Sequence, residues 1–360
     1  MENNDMGKCR KRILLIQLGD LGDVILTESS VAALRKAYPE ARIYMAVRQK
    51  AVALLEGFDG MDAYIGVYDQ KKNIATIAQT QWQLFKKIRS WKIDTAINLR
   101  VDERGAYIAW ISGATERFGK KGGRYFSRFY TNGLGEDEFL LPDLYMPRLL
   151  LNLLKPLGVD PLTSRIMPQL RILSGKNTKA VSFFEKKNIP YTEKMVIIHP
   201  MSLWKYKEWT MTGWQKIVQY LTENGFYVVL TGDTTDAKRC QELVDGVKNT
   251  CSIAGETTLD VLPPILSYAR MVMGVDTMTI HMARAVTVPT ATIFGPSLLR
   301  YWVPANDPMQ LVILPEKECV PCGKKGCDEN EKSECLNELS PQTVWEKLEN
   351  WIVFQKLRVQ

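Results

Sequence analysis

The strongest constraint on the fold is an alternation that occurs twice along the chain. Short runs of buried-type residues end in a Gly- or Asp-bearing turn, and an amphipathic stretch follows. Lys11 to Leu18 reads as a buried strand, Gly19 to Asp23 as its turn, and about Val24 to Tyr38 as a helix that Pro39 stops. Arg42–Val47 and Ile93–Asn98 read as further strands. The pattern weakens from Pro156 to about Lys194, where prolines and glycines punctuate it like a linker. It then restarts. Strands are expected at Met195–His199, Tyr227–Thr231, Met271–Val275 and Pro289–Phe294, with helices at Trp214–Asn224, Leu259–Tyr268 and Thr277–Val286 between them. Strand–helix alternation of this kind builds parallel sheets covered by helices. Two doubly wound α/β domains are therefore expected. We place the first at residues 1–175 and the second at 176–340, with a last helix in 341–360 packing back toward the first.

A length of 360 residues suits two domains. The charged fraction of 24% and hydrophobic fraction of 46% are those of a globular chain. Two histidines in all exclude a multi-histidine metal centre. No stretch approaches the ~18 apolar residues of a spanning helix. The net charge of +7 favours acidic partners such as nucleotides, phosphorylated glycans or anionic lipid without choosing among them. The basic run Lys8 to Arg12 reads best as a solvated lead-in to the first strand, with contact to a membrane surface as the other reading.

Seven cysteines, an odd number, fit a reducing compartment. Cys9, Cys240 and Cys251 are scattered, whereas Cys319, Cys322, Cys327 and Cys335 are spaced C-x2-C-x4-C-x7-C. The first pair has zinc-ligand spacing. A structural zinc, two disulfides and four free thiols stand as equal readings of this group.

Three turns carry candidate chemistry. In Gly19-Asp20-Leu21-Gly22-Asp23, two aspartates stand where a phosphate loop would have none. Asp20 reads as a helix cap. For Asp23, a cap and a general base at a strand's carboxyl end are equally supported. His199 to Trp209 combines Ser202, Lys205 and Lys207 with aromatics after a strand; lysines there can neutralise phosphate, although spacing alone favours a solvated loop with Trp packed inward. Gly274-Val275-Asp276-Thr277 places a helix start after a strand, an anion site by virtue of its free amides. His281, four residues past Thr277, shares that helix face. For a lone histidine the default is a satisfied, half-buried side chain.

In order and spacing these segments resemble glycosyltransferase family 9, the lipopolysaccharide heptosyltransferases, over nearly the whole chain. Ile13 to Thr27 looks like the family's first strand and L-G-D-V-I-x-T turn. Asp94 to Arg100 looks like D-x-x-I-D-L, Lys207-Glu208-Trp209 like K-R-W-P, Gly274 to His281 like G-x-D-T-G-x-x-H, and Phe294-Gly295-Pro296-Ser297 like F-G-P-T/S. The Cys-rich tail is also shared by many members. The resemblance implies a GT-B fold, two Rossmann-like domains facing across a cleft. It implies an inverting transfer of heptose, typically from ADP-heptose, to a lipopolysaccharide core or related glycan. Asp23 falls on the family's base and Lys207 on its diphosphate-binding lysine. Gly22, Ser202, Asp276, Thr277 and His281 fall on donor-binding positions.

The chain departs from the pattern at Met278 for Gly, Thr210 for Pro and Asn98 for Asp. No cofactor is implied for catalysis, and no D-x-D triplet supports a metal-dependent architecture. The expected partners are a nucleotide-sugar and a glycan acceptor, with transient contact to the inner membrane's inner face and no nucleic acid. The expected place is the cytoplasm. A GT-B-like sugar-nucleotide epimerase and an inactive nucleotide-sugar-binding subunit are the alternatives. In the first domain, Arg104, Arg117, Lys120, Lys121, Arg124 and Arg128 form a basic stretch that would suit an acidic acceptor, or simply a solvated surface.

Overall fold

The computed structural model describes residues 11–69, 74–121, 126–135, 144–191, 194–327 and 331–355. Cys9, the run Lys8–Arg10 and Arg124 lie outside them. The chain divides into two compact units, Met1–Gln169 and Leu170–Gln360.

The first unit is a six-stranded sheet of β1 (Arg12–Gln17), β2 (Arg42–Arg48), β3 (Ala63–Val67), β4 (Thr95–Asn98), β5 (Glu116–Lys120) and β6 (Asn132–Leu134). Its order is β3-β2-β1-β4-β5-β6, and every pairing is parallel. Central β1 is buried on both faces from Ile13 to Gln17, as its unbroken apolar run requires. The expected helix after it is two helices, α1 (Leu21–Leu26) and α2 (Glu28–Ala37). Thr27 forms the joint: its hydroxyl donates to Asp23 O at 2.9 Å and accepts from Gln17 Nε2 at 3.2 Å. These bonds commit Thr27 to the end of β1 rather than to an unbroken helix. On the opposite face of the sheet, α3 (Ile74–Ser90) and α4 (Glu103–Ile111) lie side by side. Their Leu84, Ile88, Ile108 and Ala109 share one apolar cluster with Leu14, Ile16 and Ala96 of the strands.

After the short α5 (Met146–Asn152), the second unit repeats the design. Its strands are β7 (Met195–His199), β8 (Tyr227–Leu230), β9 (Thr250–Ser252), β10 (Met271–Val275), β11 (Thr290–Ile293) and β12 (Gln310–Ile313). The order β9-β8-β7-β10-β11-β12 is the first sheet's order over again, also parallel throughout. The expected linker contains a helix, α6 (Ser174–Lys187), because Ala180 and Phe184 bury completely. Phe184 stacks on Tyr191 at 5.3 Å. The Pro/Gly punctuation of the flanks hid that spacing. Around the sheet lie α7 (Met211–Glu223), α8 (Ala237–Val244), α9 (Leu262–Ser267), α10 (Met278–Ala285), α11 (Leu299–Trp302), α12 (Glu334–Glu338) and α13 (Pro341–Phe354). The apolar face of α13 is buried in the second unit. Val344, Trp345, Leu348 and Ile352 join the cluster of Trp214, Ile217 and Val218, and Trp351 Nε1 donates to Pro308 O at 3.3 Å.

One buried charge fixes the end of the first unit. Glu28, 2% exposed at the start of α2, accepts from Arg165 Nη1 and Nη2 at 2.9 and 2.8 Å and from the Gln169 amide at 2.7 Å. A buried carboxylate is tolerated when every lone pair is met in this way. Arg165→Ala should therefore destabilise the first unit by about 2–3 kcal/mol, below the full cost of breaking a buried pair because the Gln169 bond survives. Chemical denaturation of this variant, compared with Glu28→Gln/Arg165→Leu, tests it; equal stability of Arg165→Ala and wild type would refute the assignment.

Candidate active site

In both sheets the chain leaves the central strand in one direction and its neighbour in the other. The switch points lie between β1 and β4 and between β7 and β10. Loops diverge there at the strands' carboxyl ends and leave a crevice in which such sheets hold ligands. The candidate residues gather at these two places.

At the first switch point, Asp20 is the N-cap of α1, with the extended backbone of that position. Its amide donates to Asp23 Oδ2 at 2.9 Å, and Gly22 is the second residue of the helix. Asp23 thus occupies the third helical position with its carboxylate turned back over the loop. A Cβ at Gly19 would stand 2.3 Å from that carboxylate, so glycine is required there. Asp23 Oδ2 also accepts from Arg100 Nη1 at 3.2 Å, across from the end of β4. Asp20 instead meets Arg48 at 3.3 Å and Lys50 at 3.1 Å. The two aspartates are therefore in different environments: Asp20 is tied to surface cations, whereas Asp23 is 20% exposed and faces one guanidinium.

At the second switch point, Lys207 Nζ meets Asp276 Oδ2 at 2.5 Å. Lys207 comes from the loop after β7 and Asp276 from the end of β10, with side chains 16% and 5% exposed. Removing both charges from water is costly, and each compensates the other. Gly274 allows this closeness, since a Cβ on it would lie 2.6 Å from His199 O of the neighbouring strand. Thr277 is the N-cap of α10, yet its hydroxyl makes no capping bond. The hydroxyls of Thr277 and Thr279 are both buried without a partner. With the helix start, where the first amides have no partner one turn back, they form a buried set of donors beside a lysine, suited to an anion.

His281 stands one turn further along α10. Burial pulls its pKa down to about 4, against the carboxylate of Asp276 and with the help of Lys207. It is therefore a neutral imidazole at physiological pH. Its ring lies 6.3 Å from that of Trp302, whose face is 6.0 Å from Lys207 Nζ. His199, at the end of β7, is likewise held neutral by burial at a pKa of about 4, with Asp233 opposing. Its Nδ1 has no partner.

Ser202 serves the loop: its amide donates to Glu208 Oε1 at 3.1 Å, and its hydroxyl accepts from the Trp204 amide at 3.2 Å. Glu208 also takes Lys205 at 2.9 Å and Arg239 of α8 at 2.8 Å. Burial works to raise its pKa, but the bonds from Arg239, Lys205 and the Ser202 amide outweigh it and keep it ionised. Glu208 and Arg239 thus clamp the loop that presents Lys207. Trp209 turns inward, as the loop reading expected, and meets Trp214 edge-on at 5.3 Å. Met278, in place of the family's glycine, has an ordinary helical backbone at the first position of α10, so no glycine is needed there for conformation.

Cys319, Cys322, Cys327 and Cys335 are free thiols, and no group of three or more His, Cys, Asp or Glu among the described residues could hold a metal ion. Cys335 is a core residue, where burial pushes its pKa up. The basic stretch of the first domain is divided as well. Arg104 pairs with Asp69 at 3.1 Å, and Arg117 donates to the carbonyls of Ala114 and Phe129 at 2.6 Å each.

The family model described as glycosyltransferase family 9 (heptosyltransferase) matches residues 81–333. The chain belongs to glycosyltransferase family 9. It is 25% identical to lipopolysaccharide heptosyltransferase 3 of Escherichia coli, over 80% of this chain and 84% of that one. It is 23% identical to lipopolysaccharide heptosyltransferase 1 of Pseudomonas aeruginosa, over 94% and 97%. Its fold matches the crystal structure of the family 9 glycosyl transferase from Veillonella parvula, with a TM-score of 0.80 at 23% identity over 96% and 97% of the chains. It also matches E. coli ADP-heptose lipopolysaccharide heptosyltransferase II, with a TM-score of 0.77 at 19% identity over 96% and 99%. The chain is therefore a glycosyltransferase with the GT-B class of α/β fold.

Arg100, Glu208 and Arg239 were not singled out for any role from sequence. Arg100 was quoted within a motif, but its partnership with Asp23 requires β4 to lie beside β1.

The depressed histidines set a pH dependence. The ordinary pKa of 6.5 applies to the unfolded chain and about 4 to the folded one, so between these values the unfolded state binds more protons. Stability present above pH ~6.5 should be lost as pH falls toward ~4, by at most about 1.4 kcal/mol per pH unit for each histidine. Denaturation of the second unit at pH 7 and 5 measures this. His281→Phe should remove about half of the slope, and an unchanged slope would show that His281 is protonated freely in the folded protein.

Proposed function

We propose that this enzyme transfers heptose from ADP-heptose to a lipopolysaccharide core acceptor, with inversion at the anomeric carbon. The Lys207–Asp276 pair beside the open N-terminus of α10 carries the reading, because it assembles a cation, free amides and unpartnered hydroxyls where a nucleotide diphosphate needs them. Several relatives are named as lipopolysaccharide heptosyltransferases, and a fold relative is the E. coli heptosyltransferase WaaC with ADP.

In this reading the donor's diphosphate takes Lys207 in exchange for, or together with, Asp276. Thr277 Oγ1 and the first-turn amides of α10 donate to its oxygens. Charge develops on the bridging oxygen as the glycosidic bond to ADP breaks, and these fixed donors stabilise it more than they stabilise the intact donor. Neutral His281 supplies an N–H donor without adding a second cation. Asp23 accepts the proton of the acceptor hydroxyl as that oxygen attacks the anomeric carbon. Arg100 orients its carboxylate, and the Asp20 amide fixes its rotamer. Gly22 leaves room over this loop, and Ser202 shapes the Lys207 loop.

No cofactor enters the scheme. The enzyme is placed in the cytoplasm, at the membrane face where a lipid-anchored acceptor presents itself. No described helix is long and apolar enough to cross a membrane. Neither the epimerase nor the inactive-subunit alternative gains an observation in its favour.

Asp23→Asn should lower the rate of ADP release from ADP-heptose with a truncated lipopolysaccharide acceptor by about 10²–10⁴-fold while leaving ADP-heptose affinity intact. Lys207→Ala should lower that rate by about 10²–10³-fold and also weaken donor binding in calorimetry. Wild-type turnover by either variant would remove that residue from the mechanism, and absence of turnover by the wild-type enzyme with ADP-heptose would overturn the donor assignment.

A further inference from the structure

The face of the first unit formed by α3 and α4 is not used by the proposed chemistry, and its composition is unusual. From Ile74 to Ile93 the chain contains Lys86, Lys87, Arg89 and Lys92 and no acidic residue. The inward side of α3 buries Leu84 and Ile88 against the sheet. The outward side carries Trp82, 55% exposed, stacked on Phe85 at 5.5 Å with Lys86 Nζ 5.0 Å from its ring. The pattern continues onto α4. Arg89 lies 5.8 Å from the Phe85 ring and reaches Gly113 just beyond α4, where a Cβ would touch its guanidinium. There Trp110, 53% exposed, lies 6.1 Å from the ring of Tyr107, which is also exposed, and 5.6 Å from that of Phe129. The acids at this end, Asp102 and Glu103, are the N-cap and first residue of α4, and Asp69 is paired with Arg104 at 3.1 Å.

Two tryptophans and a tyrosine standing in water are costly for a soluble surface unless something covers them. Amphipathic rings belong at the boundary between headgroups and acyl chains, and lysines flanking them at the level of anionic headgroups. The absence of acidic residues along α3 removes the repulsion that such a surface would otherwise meet.

We propose that the α3–α4 face docks the enzyme on an anionic phospholipid bilayer, with Trp82 and Trp110 entering the interface and Lys86, Lys87, Arg89 and Lys92 meeting the headgroups. The inference rests on the membrane placement proposed above but not on the chemistry of transfer.

Cosedimentation of the full chain with vesicles tests it. The enzyme should bind vesicles of equal parts phosphatidylglycerol and phosphatidylcholine, and release as salt is raised. It should bind pure phosphatidylcholine vesicles at least tenfold less. Lys86→Gln/Lys87→Gln should weaken binding to the anionic vesicles by about tenfold or more, and Trp82→Ser/Trp110→Ser should weaken it at every salt concentration. These exposed variants should keep wild-type thermal melting and wild-type turnover on a water-soluble acceptor. Three results would overturn the proposal: no binding by the wild type, equal binding to both vesicle types, or undiminished binding by the lysine variant. So would self-association of the wild type that the tryptophan variant abolishes, since the occupant would then be a second copy. Turnover on the soluble acceptor is read separately, so failure of the transfer reading and failure of this one are distinguishable.

Discussion

The buried ion pair between Lys207 and Asp276 is the interaction around which the second unit's strand-end loops are arranged. It joins loops that leave adjacent strands, β7 and β10, where the sheet changes direction. A lysine and an aspartate with so little exposure are stable only because they neutralise each other. In the function proposed above, an anion delivered to this point would compete with Asp276 for a lysine already largely out of water. The surrounding structure maintains the arrangement: Gly274 lets the strands approach, Glu208 and Arg239 hold the loop, and the Trp209–Trp214 contact anchors the loop's far end in the core.

The first unit repeats the arrangement at its own switch point. Asp23 and Arg100 meet at the equivalent switch point of a sheet with the same strand order. There the pair is more open, with the Arg100 and Asp23 side chains 45% and 20% exposed. In the proposed mechanism the closed pair serves the leaving group and the open one serves proton transfer. The difference follows from depth rather than from residue type, since both sites set a carboxylate against a cation.

Much of this was legible in the residues. β1, β7 and β10 are read correctly because strands buried on both faces leave continuous apolar runs with no competing helical period. Asp20 is recognisable as a cap because capping is a local requirement. The weaker elements were not legible. β9 is half-buried throughout, and α6 lies among prolines and glycines that resemble a linker. Thr27 breaks the first helix through bonds to Gln17 and to the Asp23 carbonyl, which no local propensity reports. The cover of α13 is not legible for a related reason: its apolar stripe shows that it must be covered, but not by which surface.

The sequence by itself determined the alternation, the parallel class of sheet, the family and the identity of the polar residues at the strand ends. Only the tertiary structure decided their partners. Lys207 and Asp276 are 69 residues apart in the chain, and Asp23 and Arg100 are 77 apart. Strand order brings them together, and strand order is set by which apolar faces can be buried at once, a property of the whole sheet. The tail cysteines show the same division. Their spacing left a metal site, disulfides and free thiols open, and only the fold shows that Cys335 is buried in the core while Cys319 and Cys327 are exposed.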